Sequence, residues 1–174
     1  MFRYTTEADD SKRSTYRVIN DFIRKAYILK REGKISEISK EFEKLSPKYR
    51  RNILTLQNIF LKYRGDAERF KILYRGMGLP TEDYRKVIRA RVGQIIHIAK
   101  GFVSTSYSET VARMFSDGII LVITRRIHPG IELIEYSSHP YEEEVLLPYG
   151  FWNRLKVLKK EKKDGIWYIY VEEI

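Results

Sequence analysis

Residues 141–148 read Tyr141-Glu142-Glu143-Glu144-Val145-Leu146-Leu147-Pro148, three acids running straight into a short apolar strand. Side chains alternate along a strand, so Glu142 and Glu144 are expected on one face and Glu143 on the other. Like charges this close repel unless a cation or ligand offsets them. The stretch suits a paired-carboxylate site on a rigid support. The competing reading is a solvated acidic loop.

Upstream, residues 101–106 read Gly101-Phe102-Val103-Ser104-Thr105-Ser106, a polar triplet ending an apolar strand. Buried hydroxyls there need partners. Otherwise they form an ordinary strand-to-helix turn, with Ser108 capping the helix that follows. Earlier still, Leu73-Tyr74-Arg75-Gly76 closes a strand on an arginine, a costly place for a charge unless it meets an anion. The glycine lets a ligand approach the backbone. The plain alternative is a surface arginine.

Around these pieces the periodicity predicts helices first and strands later. Residues 15–31 place Val18, Ile19, Phe22, Ile23, Ala26 and Leu29 on one helical stripe, stopped by Gly33. A second helix spans 36–45, with Ile35, Ile38, Phe42 and Leu45 as its apolar face. A third runs from Pro47, behind the cap Ser46, to about residue 63, with Ile53, Leu56, Ile59 and Phe60 inside and Gly65 closing it. Strands are expected at 70–74, 95–98, 102–106, 118–124, 133–136, 142–147, 154–158 and 166–171. Helices are expected at 81–91, capped by Thr81, and at 108–115, with the charged run 159–165 as a hairpin loop. This order predicts an α+β fold with mostly antiparallel pairing. No linker-like stretch divides the chain, so one domain is expected over 1–174: a helical lead to about 65 and a strand-rich core over 70–174.

The chain has 174 residues, 43% of them hydrophobic, enough for a core and too many for a disordered chain. It has no cysteine, which excludes disulfides, cysteine metal ligands and thiol chemistry. No apolar run reaches the roughly 20 residues of a membrane span, and the polar start is no secretory signal. A soluble, cytoplasmic protein that does not act on membranes is expected. Residues 1–71 carry 18 Lys/Arg against 10 Asp/Glu, whereas 72–174 carry 15 against 13. The basic first part either steers the chain to an acidic or nucleic-acid-associated partner or forms solvated helix faces. His97, His128 and His139 lack ligand spacing, so no metal is expected. The Gly-x-Gly-x-x-Gly dinucleotide fingerprint is absent.

Taken together, Arg75-Gly76, then Ser104-Thr105-Ser106, then Glu142-x-Glu144 entering Val145-Leu146-Leu147, resemble the mono-ADP-ribosyltransferases of the Arg-Ser-Glu class. That class includes bacterial toxins and bacteriophage enzymes that modify host proteins. The resemblance runs from about Leu73 to the C-terminus and implies the ADP-ribosyltransferase fold, helices followed by a mostly antiparallel two-sheet core. It implies NAD as a cleaved substrate, with no metal. Arg75 would bind its phosphates and Gly76 its nicotinamide amide. Ser104 would hold the catalytic glutamate and position the nicotinamide ribose, Thr105 and Ser106 would support it as further NAD-binding residues, and Phe115 would stack near the nicotinamide. Glu144 would be the catalytic glutamate and Glu142 the acceptor-side acid, with Tyr141 touching the target. A Glu at the earlier position implies arginine as acceptor on a host protein, met in the host cytoplasm. Arg113, Arg125 and Arg126 are candidates for a further phosphate-binding cation, or else surface arginines.

The chemistry fits these roles. Breaking the nicotinamide–ribose bond builds an oxocarbenium-like centre that a nearby carboxylate stabilises. A guanidinium is a poor nucleophile, so a second carboxylate must orient it and take a proton. Two other readings compete. One is an NAD glycohydrolase, which would not need Glu142. The other is a nucleic-acid-binding module built on the basic first part with Tyr16, Tyr27, Tyr49 and Tyr63, which leaves the Ser-Thr-Ser and Glu-x-Glu pairing unexplained.

Overall fold

The structure, a computed structural model, describes residues 15–62, 71–79, 82–98, 101–133, 140–147 and 154–174. Tyr63, Gly65, Phe70, Thr81, Tyr136, His139 and Pro148 lie outside them. The stripe read in the first helix forms α1 (Thr15–Arg31), which buries Ile19, Ile23 and Leu29. The short α2 (Ile35–Glu43) buries no residue fully, and Ile35 is 66% exposed, so it leaves the expected apolar face. Phe42 still packs on Phe22, with ring centroids 5.5 Å apart. The proline start holds for α3 (Pro47–Lys62), which buries Ile53 and Leu56.

The rest is a sheet with two short helices. Its elements are β1 (Leu73–Met77), α4 (Glu82–Arg89), β2 (Ile95–Ile96), β3 (Val103–Ser106), α5 (Glu109–Met114), β4 (Ile119–Arg125), β5 (Ile131–Glu132), β6 (Glu144–Leu147), β7 (Leu155–Lys163) and β8 (Ile166–Glu173). The strands lie in the order β2-β7-β8-β4-β1-β3-β6-β5, and among the described residues only β4 and β8 run parallel. β1 meets β3 at a single registered pair, Tyr74 opposite Ser106. That seam joins a five-strand block to a three-strand block within one continuous eight-stranded sheet, in place of the two sheets expected, because β1 and β3 still pair there. No described helix is long and apolar enough to cross a membrane.

Apart from trimmed ends, three strands differ from the sequence expectation, and one of them is β5, which lies at Ile131–Glu132, ahead of the expected 133–136, of which only Leu133 is among the described residues. β1 lies three residues further on than expected, because pairing with β4 continues to Met77 opposite Ile119. Arg75 and Gly76 therefore sit inside a strand, not beyond its end. The lysine-rich run 159–165 is mostly strand, and only Asp164 and Gly165, at φ 48° and 81°, make the turn. Such a two-residue turn with both φ positive matches the strand twist. The lysines are tolerated because each finds a place. Lys159, Lys162 and Lys163 stand over the rings of Tyr170, Trp167 and Tyr168 at 5.3, 5.9 and 5.8 Å. Lys160 donates to the carbonyls of Ile88 and Ala90 at 2.7 and 2.8 Å, where a cation suits the end of α4.

The helical lead is built into the site-bearing block. Ile19, Ile23, Ile53 and Leu56 form one core with Phe102, Ile131, Leu133 and Leu146, and Phe60 stacks on Phe102 at 5.4 Å. A second core, closed by α4, runs under both blocks and joins Leu73, Leu121, Val157 and Ile169 to Val103, Val145 and Leu147. Leu56→Ala, at a residue with no exposure, should cost about 2–5 kcal/mol. Urea unfolding followed by circular dichroism and by tryptophan fluorescence should shift as one transition. A helical transition that moves alone would separate the lead from the core.

Candidate active site

The site lies on β3 and the start of β6. These strands pair antiparallel, with Ser104 opposite Leu146 and Ser106 opposite Glu144. The diagonal brings the Ser104 hydroxyl onto Glu144, where it donates to Oε1 at 2.5 Å. Glu144 is only 3% exposed, and its Oε2 has no hydrogen-bond partner among the described residues. Burial pushes this carboxyl up to about 6; the Ser104 bond opposes that rise, the nearby Glu142 carboxylate adds to it, and the Arg75 guanidinium opposes it. Both Arg75 and Glu142 are thus within electrostatic reach of Glu144.

Arg75 acts at the seam of the sheet. Its Nη1 donates to the Ser104 carbonyl at 2.7 Å, spanning β1 and β3 where their ladder has only one registered pair. The same bond holds the backbone that carries the Ser104 hydroxyl. Gly76 differs from the expectation. A Cβ there would collide with the Ala112 carbonyl oxygen and lie 2.8 Å from the Phe115 carbonyl carbon. Its missing side chain admits the last turn of α5, not a ligand.

The Ser-Thr-Ser triplet divides its work. Ser104 alone faces outward. Thr105 is buried, and its hydroxyl donates to the Val145 carbonyl at 2.6 Å, locking β3 to β6. Ser106 is also buried; it donates to the Glu142 carbonyl at 2.7 Å and accepts from the Ser108 N–H at 2.9 Å. Thr105 and Ser106, expected among the NAD-binding residues, spend these hydroxyl bonds on the scaffold.

The acidic run also corrects the alternation argument. Glu142 ends a 3-10 turn, Pro140–Glu142, and the strand begins only at Glu144. Between them Glu143 is exposed, with φ 45°. The two outer acids are brought together by this left-handed residue, not by the pleat. Main-chain bonds hold it: Glu143 N–H donates to the Pro140 carbonyl at 3.2 Å, and its carbonyl accepts from Tyr107 at 3.4 Å. Pro140 two residues ahead of Glu142 was the available signal for a turn.

Phe115, at the end of α5, is 59% exposed, and Tyr141 is 66% exposed. Ser108 caps α5 as expected, accepting from the Val111 N–H at 3.3 Å. Arg113 is taken by Glu109 at 2.9 Å, Arg125 is exposed at the end of β4, and Arg126 is buried beside Gly130 and Tyr107. His128 meets Glu173 at 2.6 Å. Among the described residues, no three of His, Cys, Asp or Glu cluster as a metal site would. Sequence reading missed Asn20. Its Oδ1 accepts the Phe102 N–H at 2.9 Å, fixing β3 two residues before Ser104, with Gly101 packed against its side chain. An asparagine next to Ile19 in a helix interior was the signal.

The family model described as ADP-ribosyltransferase exoenzyme matches residues 10–174. No curated protein matches the chain. Exoenzyme S from Pseudomonas aeruginosa, solved with human 14-3-3 protein beta and bound to carba-NAD, is similar at TM-score 0.62 and 21% identity; the match covers 91% of this chain and 66% of that one. The ADP-ribosyltransferase Vis of Vibrio splendidus, solved with agmatine, is similar at 0.55 and 21%, over 92% and 69%. C3stau2 from S. aureus, solved with NAD, is similar at 0.53 and 17%, over 76% and 74%. These likenesses show the fold.

The raised Glu144 pKa has a stability consequence. The folded state favours the protonated carboxyl, so its contribution is whole below about pH 4.5 and is lost as pH rises through about 6. Well above pH 6 the ionised group costs about 2 kcal/mol. Glu144→Gln should therefore be more stable than the parent above neutral pH and about equally stable near pH 4, by thermal unfolding at both. An equal difference at the two pH values would deny the buried carboxylate its cost.

Proposed function

The chain belongs to the ADP-ribosyltransferase exoenzyme family, and from that premise we propose that it transfers ADP-ribose from NAD to an arginine side chain of a host protein, releasing nicotinamide. The observation that carries the reading is the buried Glu144 carboxylate, one oxygen bound to Ser104 and the other buried with no partner among the described residues, with Glu142 within electrostatic reach. An unpartnered carboxylate oxygen suits a ribose hydroxyl, and no metal is needed. In this reading residues 1–174 are one catalytic domain, since α1 and α3 share a core with β5, β6 and Phe102 at the entry to β3.

The reaction breaks the bond between the nicotinamide nitrogen and the ribose C1′, and nicotinamide leaves with the electron pair. Glu144 stabilises the positive charge that grows on the ribose, more strongly because water is excluded around it. Arg75 fixes the Ser104 backbone and supplies positive charge for the NAD phosphates. The exposed Phe115 ring holds the nicotinamide end. A guanidinium nitrogen of the acceptor then bonds to C1′ while Glu142 orients it and takes its proton. Vis was solved with agmatine, which carries the same guanidinium head as arginine. Tyr141 stands at the rim, where a target protein would arrive. The acceptor is a host-cell protein in the cytoplasm, reached by a toxin or a bacteriophage-encoded enzyme. The basic first part favours an acidic or nucleic-acid-associated target.

Three variants test this with labelled NAD, with and without host extract. Glu144→Gln should lose both protein labelling and nicotinamide release by at least about 10²-fold. Glu142→Gln should lose labelling by roughly 10²–10⁴ and largely keep release into water, which needs no guanidinium clamp. Glu143→Gln, exposed on the turn, should be near neutral for both. Nicotinamide release by the parent without any labelled arginine would favour the glycohydrolase. Neither activity would leave only a binding module.

A further inference from the structure

The short segment 115–118 between α5 and β4 carries Phe115, whose ring stays mostly in solvent. Nothing in the core fixes that ring, so its position depends on how the turn is tied down. Asp117 ties it through three separate groups. Its N–H donates to the Met77 carbonyl at 3.0 Å, its own carbonyl accepts the Tyr84 hydroxyl at 3.0 Å, and its carboxylate Oδ2 accepts the Leu79 N–H at 2.6 Å. Met77 and Leu79 directly follow Arg75-Gly76 in the chain. A carboxylate on a backbone N–H is among the stronger hydrogen bonds. Ser116 finishes the turn, donating to the Ile119 carbonyl at 2.8 Å and accepting from Gly118 N–H at 3.1 Å. From the other side, Gly76 lets the backbone of Phe115 press onto β1. The Asp117 clamp and the Gly76 contact thus hold one short turn against the strand that carries Arg75.

We infer that Asp117 is a positioning residue for NAD: by holding the Leu79 backbone it keeps Phe115 where the nicotinamide ring lands beside Arg75-Gly76. The inference rests on the NAD reading above. Asp117 touches no reacting atom and acts through Phe115. Loosening the clamp leaves the ring to be ordered at the moment of binding, which weakens affinity and leaves the bond-breaking step largely as it was.

The experiment uses the full chain and four variants: Asp117→Ala, Asp117→Asn, Phe115→Ala and the double Asp117→Ala/Phe115→Ala. NAD affinity by calorimetry, KM and kcat for nicotinamide release, and thermal midpoints are measured for each. Asp117→Ala should weaken NAD binding and raise KM roughly 5- to 20-fold, with kcat within about 3-fold. Asp117→Asn keeps an oxygen that accepts from Leu79, so it should stay within about 3-fold of the parent. In the double variant, losing Asp117 should add nothing to Phe115→Ala, as coupled residues require. A lowered midpoint with unchanged affinity would make Asp117 purely structural and overturn the inference. So would additive losses in the double variant, or an asparagine as damaging as alanine. A parent that neither binds nor cleaves NAD would sink the proposed function and this inference together. A parent that does both, beside an Asp117→Ala that matches it, sinks this inference alone.

Discussion

A carboxylate taken out of water at the first residue of a strand, with one hydroxyl for company, is the constraint on which this site depends. Glu144 is buried and its carboxyl is pushed up, and among the described residues only the Ser104 hydroxyl is bonded to that carboxyl. A group in that state keeps its place only if the two strands beneath it cannot slip. Thr105 bonds across to the Val145 carbonyl, one step from the Ser104–Glu144 diagonal. Arg75 grips the Ser104 carbonyl where β1 and β3 have little ladder of their own. Asn20 catches the chain at Phe102 before β3 begins. Each contact fixes backbone, and together they fix one side-chain oxygen.

The helical lead has its purpose in the same constraint. Leu146 points into the core formed by Ile19, Ile23, Ile53 and Leu56, and it pairs with Ser104. The apolar burial that holds the helices on the sheet therefore also fixes the strand that starts at Glu144. Burial of this kind contributes about 25 cal/mol for each Å² of apolar surface, so a handful of buried side chains easily offsets one unfavourable carboxylate. Stability made in the core is given up at the site, a common arrangement where a charge must stay poorly solvated.

Much of this was legible in the sequence, for identifiable reasons. The stripe from Val18 to Leu29 marks α1 to the residue, because its burial follows a single helical period. The run from Ile119 to Thr124 marks a central strand, because it is apolar on both faces and buried on both. Residues that speak through long-range partners were not legible. Lys159 to Lys163 look like a loop until the aromatic residues of β8 lie beside them. Gly76 looks like an opening for a ligand until α5 fills it. Glu142 and Glu144 were rightly seen as a pair but by the wrong geometry, since a proline turn and a left-handed Glu143 replace the pleat. Asp117 gave no sequence sign at all, because its partners Met77, Leu79 and Tyr84 lie far off in the chain.

The two acids therefore differ in what holds them, and that difference fits two different tasks. Glu144 is a strand residue inside a closed ladder, so its carboxylate is as fixed as the sheet. Glu142 stands on a turn tied down through carbonyls, its own to Ser106 and Glu143's to Tyr107. A main-chain tie sets where the turn runs but leaves the side chain at position 142 free to be chosen. A left-handed non-glycine residue beside it costs about 1 kcal/mol or more, and persists only because those ties over-determine the turn. Cleavage of the glycosidic bond needs the first kind of support, because charge develops at one point and a small displacement weakens its stabilisation. Choice among acceptors needs the second. In the proposed reading, a different side chain at position 142 would meet a different nucleophile while Ser106 still holds the same carbonyl and the bond-breaking machinery on β3 and β6 stays untouched.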